Sequence, residues 1–160
     1  MKAIFLFICI SFFWNPSITE IRKMYVTAAT SESVAKDMAQ KLSGVTKDDD
    51  KTLVAYKGAS IIILAKSEKK ISDKTKKFKE GAALLEFAIK TEPNVIETRM
   101  IRLSIQENLP AIVNYRGNKK EDKKFIIDHY KEQTSAMKTY IAGFITHSKS
   151  FSETEKKMIE

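Results

Sequence analysis

Cysteine is almost missing from this chain of 160 residues: Cys9 is the only one. It lies in the apolar stretch at the start. A product processed behind that stretch would have no disulfide, no thiol nucleophile and no thiolate metal ligand. Proline occurs three times and glycine five times. Strand-rich folds need frequent turn residues, so this scarcity leans toward helices. Histidine is limited to His129 and His147, in separate predicted helices. Neither has a second His or a carboxylate at H-x-x-x-H or H-E-x-x-H spacing, and zinc catalysis has no support. Asp128 adjoins His129, but neighbours on a helix point about 100° apart and make no dyad. No G-x-G-x-x-G, Walker or G-x-S-x-G pattern occurs. The sequence calls for no catalytic residue, no metal and no cofactor, and reads as a non-enzymatic chain.

What is present belongs to a folded chain: 43% of residues are hydrophobic and 30% charged, and the length favours one domain with a sizeable core. The formal net charge of +8 favours anionic surroundings and says nothing about fold. Lys2 followed by the apolar run Ala3 to Trp14 reads as an export signal, too short for a comfortable membrane-spanning helix. No small-x-small cleavage pattern follows it, since Phe12, Phe13, Trp14 and Asn15 stand there. The organisation expected is a signal-type segment over residues 1–16 and one helical domain over residues 17–160. The product is expected to be periplasmic or secreted, with an uncleaved, membrane-anchored form or a buried first helix as the alternative.

From Ser17 onward the apolar spacing is helical. Ile18, Ile21, Tyr25 and Ala28 define one face, and Val34, Met38 and Leu42 step by four toward a glycine C-cap at Gly44. These two segments form a hairpin around residues 29–33. Asp48, Asp49 and Asp50 lack the glycine and downstream glutamate of a calcium loop and read instead as a helix cap. Thr52 to Lys66 is the most apolar stretch and reads as a central buried helix. The lysines between Ser67 and Lys77 lack the arginines and aromatics of nucleic-acid binders; they read as a solvated loop and helix start, with an anionic-ligand patch as the alternative. Phe78, Ala82, Leu85 and Ile89 mark the next helix, stopped at Thr91-Glu92-Pro93. Asn94 with Glu97, and Asn118 with Glu121, have capping-box spacing. They open helices carrying Ile96, Met100 and Leu103, and then Phe125, Ile126, His129 and Tyr130. A further helix fits Ser135 to His147, and Ser152 with Glu155 caps a last turn or two.

The fold class expected is therefore all-α, an array or bundle of about six to seven antiparallel helices. Gly81, Leu85, Ala88 and Pro93 match the second helix of a tetratricopeptide unit, and Val54 and Gly58 sit at plausible positions on its first helix. The resemblance implies tetratricopeptide-like packing in the middle of the chain: close approach at small residues and a stop at proline. Over nearly the whole mature chain the sequence also resembles a family of small exported helical proteins of Bacteroidetes-type bacteria. The matching stretches are Ile21-Arg22-Lys23-Met24-Tyr25, Ala55-Tyr56-Lys57-Gly58-Ala59, Arg99 and Arg102 to Gln106 with Pro110, and Glu121-Asp122-Lys123-Lys124. That resemblance implies export and a helical fold.

One polar constellation is shared between helices: Tyr56, Lys57, Arg99, Arg102, Gln106 and Asp122. In a helical array such residues line a concave surface for a peptide or an anionic group. The competing reading is a structural network in which Arg102 and Gln106 tie helix ends together through buried hydrogen bonds. The expected function is a protein- or peptide-interaction module of the cell envelope, with a binder of small or polymeric anions as the alternative. No specific nucleic-acid partner is expected, and a membrane only through an uncleaved N-terminal segment.

Overall fold

Short polar residues start most of the helices where the apolar spacing begins. The computed structural model describes residues 16–110 and 112–159; Cys9 and the signal-type segment, except for Pro16, lie outside the described residues. Helix α1 spans Ile18–Ala28 and α2 Glu32–Lys41, with Ser31 Oγ accepting from the Val34 amide at 3.5 Å. The Asp50 carboxylate caps α3 (Lys51–Ala65), accepting from the amides of Thr52 at 2.8 Å and Leu53 at 3.1 Å. Asp49 accepts from Thr46 N at 2.7 Å. These two members of the aspartate triplet thus serve backbone donors, as acids at a helix start do. Helix α4 runs Ile71–Thr91, α5 Ile96–Asn108, and α6 Lys119–His129 with a 3-10 turn over Tyr130–Glu132. Helix α7 is Ser135–His147, and α8, Glu153–Lys157, carries the full Ser152/Glu155 capping box.

The fold is an all-helical array, with no strand among the described residues. Among the described residues, seven longer helices and the short α8 stand where six to seven were expected. Several local expectations fail for physical reasons. No described glycine has positive φ, so Gly44 is not a left-handed C-cap. Asn94 caps nothing: α5 starts behind Val95, and Glu97 is drawn into the interior by partners on other helices. Asn118 makes no cap bond either, and Glu121 turns to Arg99 instead.

Helices α3 and α4 form the tightest pair. Helix α4 begins at Ile71, so Lys74, Lys76 and Lys77 lie on its first turns and only residues 66–70 connect the two helices. Lys69 and Lys70 stand in that turn and Lys74, Lys76 and Lys77 on the helix start, so the basic stretch divides between loop and helix. At the crossing, Gly58 faces Gly81: a Cβ at Gly58 would stand 2.5 Å from the Gly81 carbonyl oxygen and 3.0 Å from Leu85 N. The small-residue contact implied by the tetratricopeptide resemblance is therefore present at this hairpin.

Helix α5 separates two apolar cores. Ile101, Ile105 and Leu109 face the larger, built with α1 to α4 around Ile21, Met38, Val54, Ala59 and Leu85. Ile96, Met100 and Leu103 face the smaller, with Ile126, Ile141, Ile145 and Phe151. A helix apolar on two faces leaves its remaining positions for polar work.

Candidate functional site

Two polar arrangements and a cleft surround α5. The first is centred on Glu97, which is buried. Arg22 donates to both its oxygens, Nε at 2.7 Å and Nη2 at 2.6 Å, in the bidentate geometry that suits a guanidinium. The Tyr56 hydroxyl donates to Glu97 at 2.6 Å and lies 2.8 Å from the Tyr140 hydroxyl, joining α3, α5 and α7. Arg22 also lies 5.8 Å from the centre of the Tyr140 ring. Burial, then neighbouring Tyr140 and Glu97, pushes the Tyr56 hydroxyl well above its ordinary pKa. Burial likewise raises Tyr140 to about 12. Both phenols stay protonated and act as hydrogen-bonding groups.

The second arrangement joins α5 to α6. Arg102 donates from Nε and Nη2 to the two oxygens of Asp122 at 2.7 and 2.6 Å, and from Nη1 to Glu86 at 2.7 Å. Arg99 reaches Glu121 at 2.8 Å, Asp122 at 3.2 Å and the Pro93 carbonyl at 3.0 Å, with its guanidinium over the Phe125 ring. Tyr115 donates to the other Glu86 oxygen. Desolvation works against the Arg102 charge, but Asp122 and Glu86 outweigh it and hold its pKa above the usual arginine value. Arg102 and Asp122 are 3% and 0% exposed, so this stripe points inward and its charges are engaged with one another.

The six residues grouped from sequence are therefore only partly brought together. Arg99, Arg102 and Asp122 meet. Tyr56 belongs to the Glu97 cluster. Lys57 lies elsewhere, its Nζ donating to the carbonyls of Ser43 at 2.9 Å and Val45 at 2.6 Å to close the α2–α3 loop. Gln106 is fully buried, yet among the described residues neither of its side-chain polar atoms has a hydrogen-bond partner, so it ties none of these helix ends together. Sequence reasoning missed Arg22, Glu86, Tyr115 and Tyr140; their partners are remote in the chain, and no local spacing signals them.

The cleft lies where the two cores meet. Its volume is about 670 Å³, and α1, α3, α5 and α7 form its walls. Ile62, Ile63 and Ile105 line one side, Met100 and Phe144 the other. That size and apolar character match small-ligand sites, which measure roughly 300–1,000 Å³. The Tyr25 hydroxyl and Ser104 Oγ are hydrogen-bonded to each other in the wall, and burial raises the Tyr25 pKa. Gly143 lines the cleft from α7, and a Cβ placed on it meets nothing within 4 Å. Among the described residues no group of three or more His, Cys, Asp or Glu is placed to hold a metal, and no helix is long and apolar enough to cross a membrane. His129 and His147 each turn Nδ1 to a carbonyl one helical turn back, of Phe125 and Gly143, at 2.9 Å. No protein-family model, curated protein or solved structure matches the chain.

Proposed function

We propose that this chain is a non-enzymatic binding protein of the cell envelope that takes an apolar ligand into the cleft between α1, α3, α5 and α7. The observation that carries the reading is the cleft itself: about 670 Å³ of mainly apolar surface between two packed cores. Apolar concavities of this size are where small ligands bind preferentially. The envelope location rests on the Lys2-led apolar run Ala3 to Trp14. A peptide-binding role for the Arg99/Arg102 stripe would need free charges, and those guanidiniums are engaged by Glu86, Glu121 and Asp122. That favours the cleft over the stripe as the binding surface. The lack of a nucleophile paired with a base in either polar cluster favours binding over catalysis.

An uncharged environment-sensitive dye, N-phenyl-1-naphthylamine, tests this with the full chain. Saturable fluorescence enhancement is expected, lost in Gly143→Trp and kept in Gly143→Ala, with the helical circular dichroism unchanged in both. Gly143 suits the test because it lines the cleft and its Cβ position is open, so an indole there disturbs no packed core. No enhancement with the native chain, or enhancement undiminished in Gly143→Trp, overturns the reading.

A further inference from the structure

The chemistry of the cleft's ligand follows from which lining groups already have partners. The Tyr25 hydroxyl is taken by Ser104, and that of Tyr140 by Tyr56. The Asn108 amide donates to the Ser104 carbonyl at 2.9 Å, and the Thr139 hydroxyl to that of Ser135 at 3.1 Å. Glu107, the one acid in the lining, accepts from the Ser148 hydroxyl and from the Ser150 amide at 3.0 Å. His147 is turned to its own helix.

Lys66 differs from all of these. It lines the cleft and is exposed, and among the described residues its ammonium has neither an ion pair nor a hydrogen bond. It opens the basic turn that continues through Lys69 and Lys70. The acid of that turn, Glu68, is paired with Lys77. Val26, 70% exposed, extends the apolar wall to the rim. A site whose wall hydroxyls, amide and carboxylate have partners, with one free ammonium at its mouth among the described residues, fits a ligand with an apolar body and a single anionic end.

Taking the cleft as the binding site proposed above, we infer that its ligand is a free, single-chain anionic amphiphile, with its apolar body in the cleft and its carboxylate- or phosphate-type head at the Lys66 ammonium. The volume is that of one small ligand, which sets a monomeric amphiphile apart from a bilayer surface. Binding is led by burial of the chain, and the head supplies selectivity of the size of a part-exposed ion pair.

Displacement of the dye from the full-length protein by dodecanoate, dodecanol and dodecyltrimethylammonium, each below its aggregation threshold, tests the inference. Dodecanoate is expected to displace at about three- to fivefold lower concentration than dodecanol, the factor such an ion pair supplies. The quaternary ammonium should be weakest. Lys66→Met should erase the carboxylate preference, read as the ratio of the dodecanoate to the dodecanol displacement concentration, while still binding the dye, a readout that a folding defect would not produce. Equal displacement by dodecanoate and dodecanol, or a preference surviving in Lys66→Met, overturns the anionic inference while leaving the cleft intact. If no alkyl probe displaces the dye, the cleft reading falls as well. Co-sedimentation with phosphatidylglycerol vesicles without displacement by monomeric dodecanoate also overturns it, assigning the basic turn to membrane surfaces.

Discussion

Arg102 and Asp122 form a buried pair whose value lies in mutual compensation. Removing two charges from water costs several kcal/mol each, and the two parallel hydrogen bonds offset that cost only while both partners are present. Asp122→Asn leaves Arg102 only its Glu86 contact, and should therefore lower unfolding stability in urea titration by up to about 3–5 kcal/mol, the range for removing one partner of a buried pair. The double change Arg102→Met with Asp122→Leu should cost less than Asp122→Asn alone. An equal or larger loss would mean that the pair contributes more than compensation. Gln106 presents the opposite case. Its amide is desolvated with no hydrogen-bond partner among the described residues, and an unmade hydrogen bond costs roughly 1–3 kcal/mol. Gln106→Met, of similar volume, should be neutral or stabilising by up to about 2 kcal/mol on the same titration. A loss above about 1 kcal/mol would show that the amide is satisfied in solution.

At the scale of the helix, the α3–α4 pair depends on glycine for proximity. An alanine at either crossing position gains about 1 kcal/mol of helix propensity but forces a methyl against backbone. At Gly81 the methyl would meet the Gly58 carbonyl oxygen and, at 2.7 Å, Ile62 Cγ1. Overpacking of this kind costs typically 1–3 kcal/mol or more, so Gly81→Ala should be destabilising overall, seen as a lower urea midpoint. This contact was legible in sequence because it rests on spacing: Gly81, Leu85, Ala88 and Pro93 follow one another along a single helix. The same holds for Ser152 with Glu155 and for the Asp50 cap, where partners lie within three residues. Legibility stops where partners are distant. Glu97 stands three residues from Asn94 and looks like a cap, but Arg22 and Tyr56, from 75 and 41 positions away, hold its carboxylate. The polar stripe on α5 was visible, but not that α6 covers it. The cleft left no signal at all, because its walls come from four helices and each contributes residues that fit an ordinary core.

In the whole molecule, α5 belongs to both cores, while α7 reaches the larger one through the Tyr56–Tyr140 hydroxyl contact and across the cleft. Regions with fewer buried apolar contacts open at lower free energy than the central ones. Only Ile141 and Ile145 of α7 are buried, against ten residues of α3. Amides of α7 and α8 should therefore exchange through openings smaller than global unfolding, and those of α3, with the part of α4 packed on it from Gly81 to Ile89, only through global unfolding. A ligand in the cleft touches α7 on one side and α1 and α3 on the other, so α7 must stay docked for the site to exist. Binding to that state alone adds RT ln(1 + [L]/Kd), about 2.7 kcal/mol at a hundredfold excess over Kd. Native-state hydrogen exchange with saturating N-phenyl-1-naphthylamine should thus slow α7 amides by up to about a hundredfold, with Gly143→Trp abolishing the change. Slowing confined to α4 and α6, with α7 unchanged, would place the dye on the outer surface and break the link between the cleft and the pairing of the two cores.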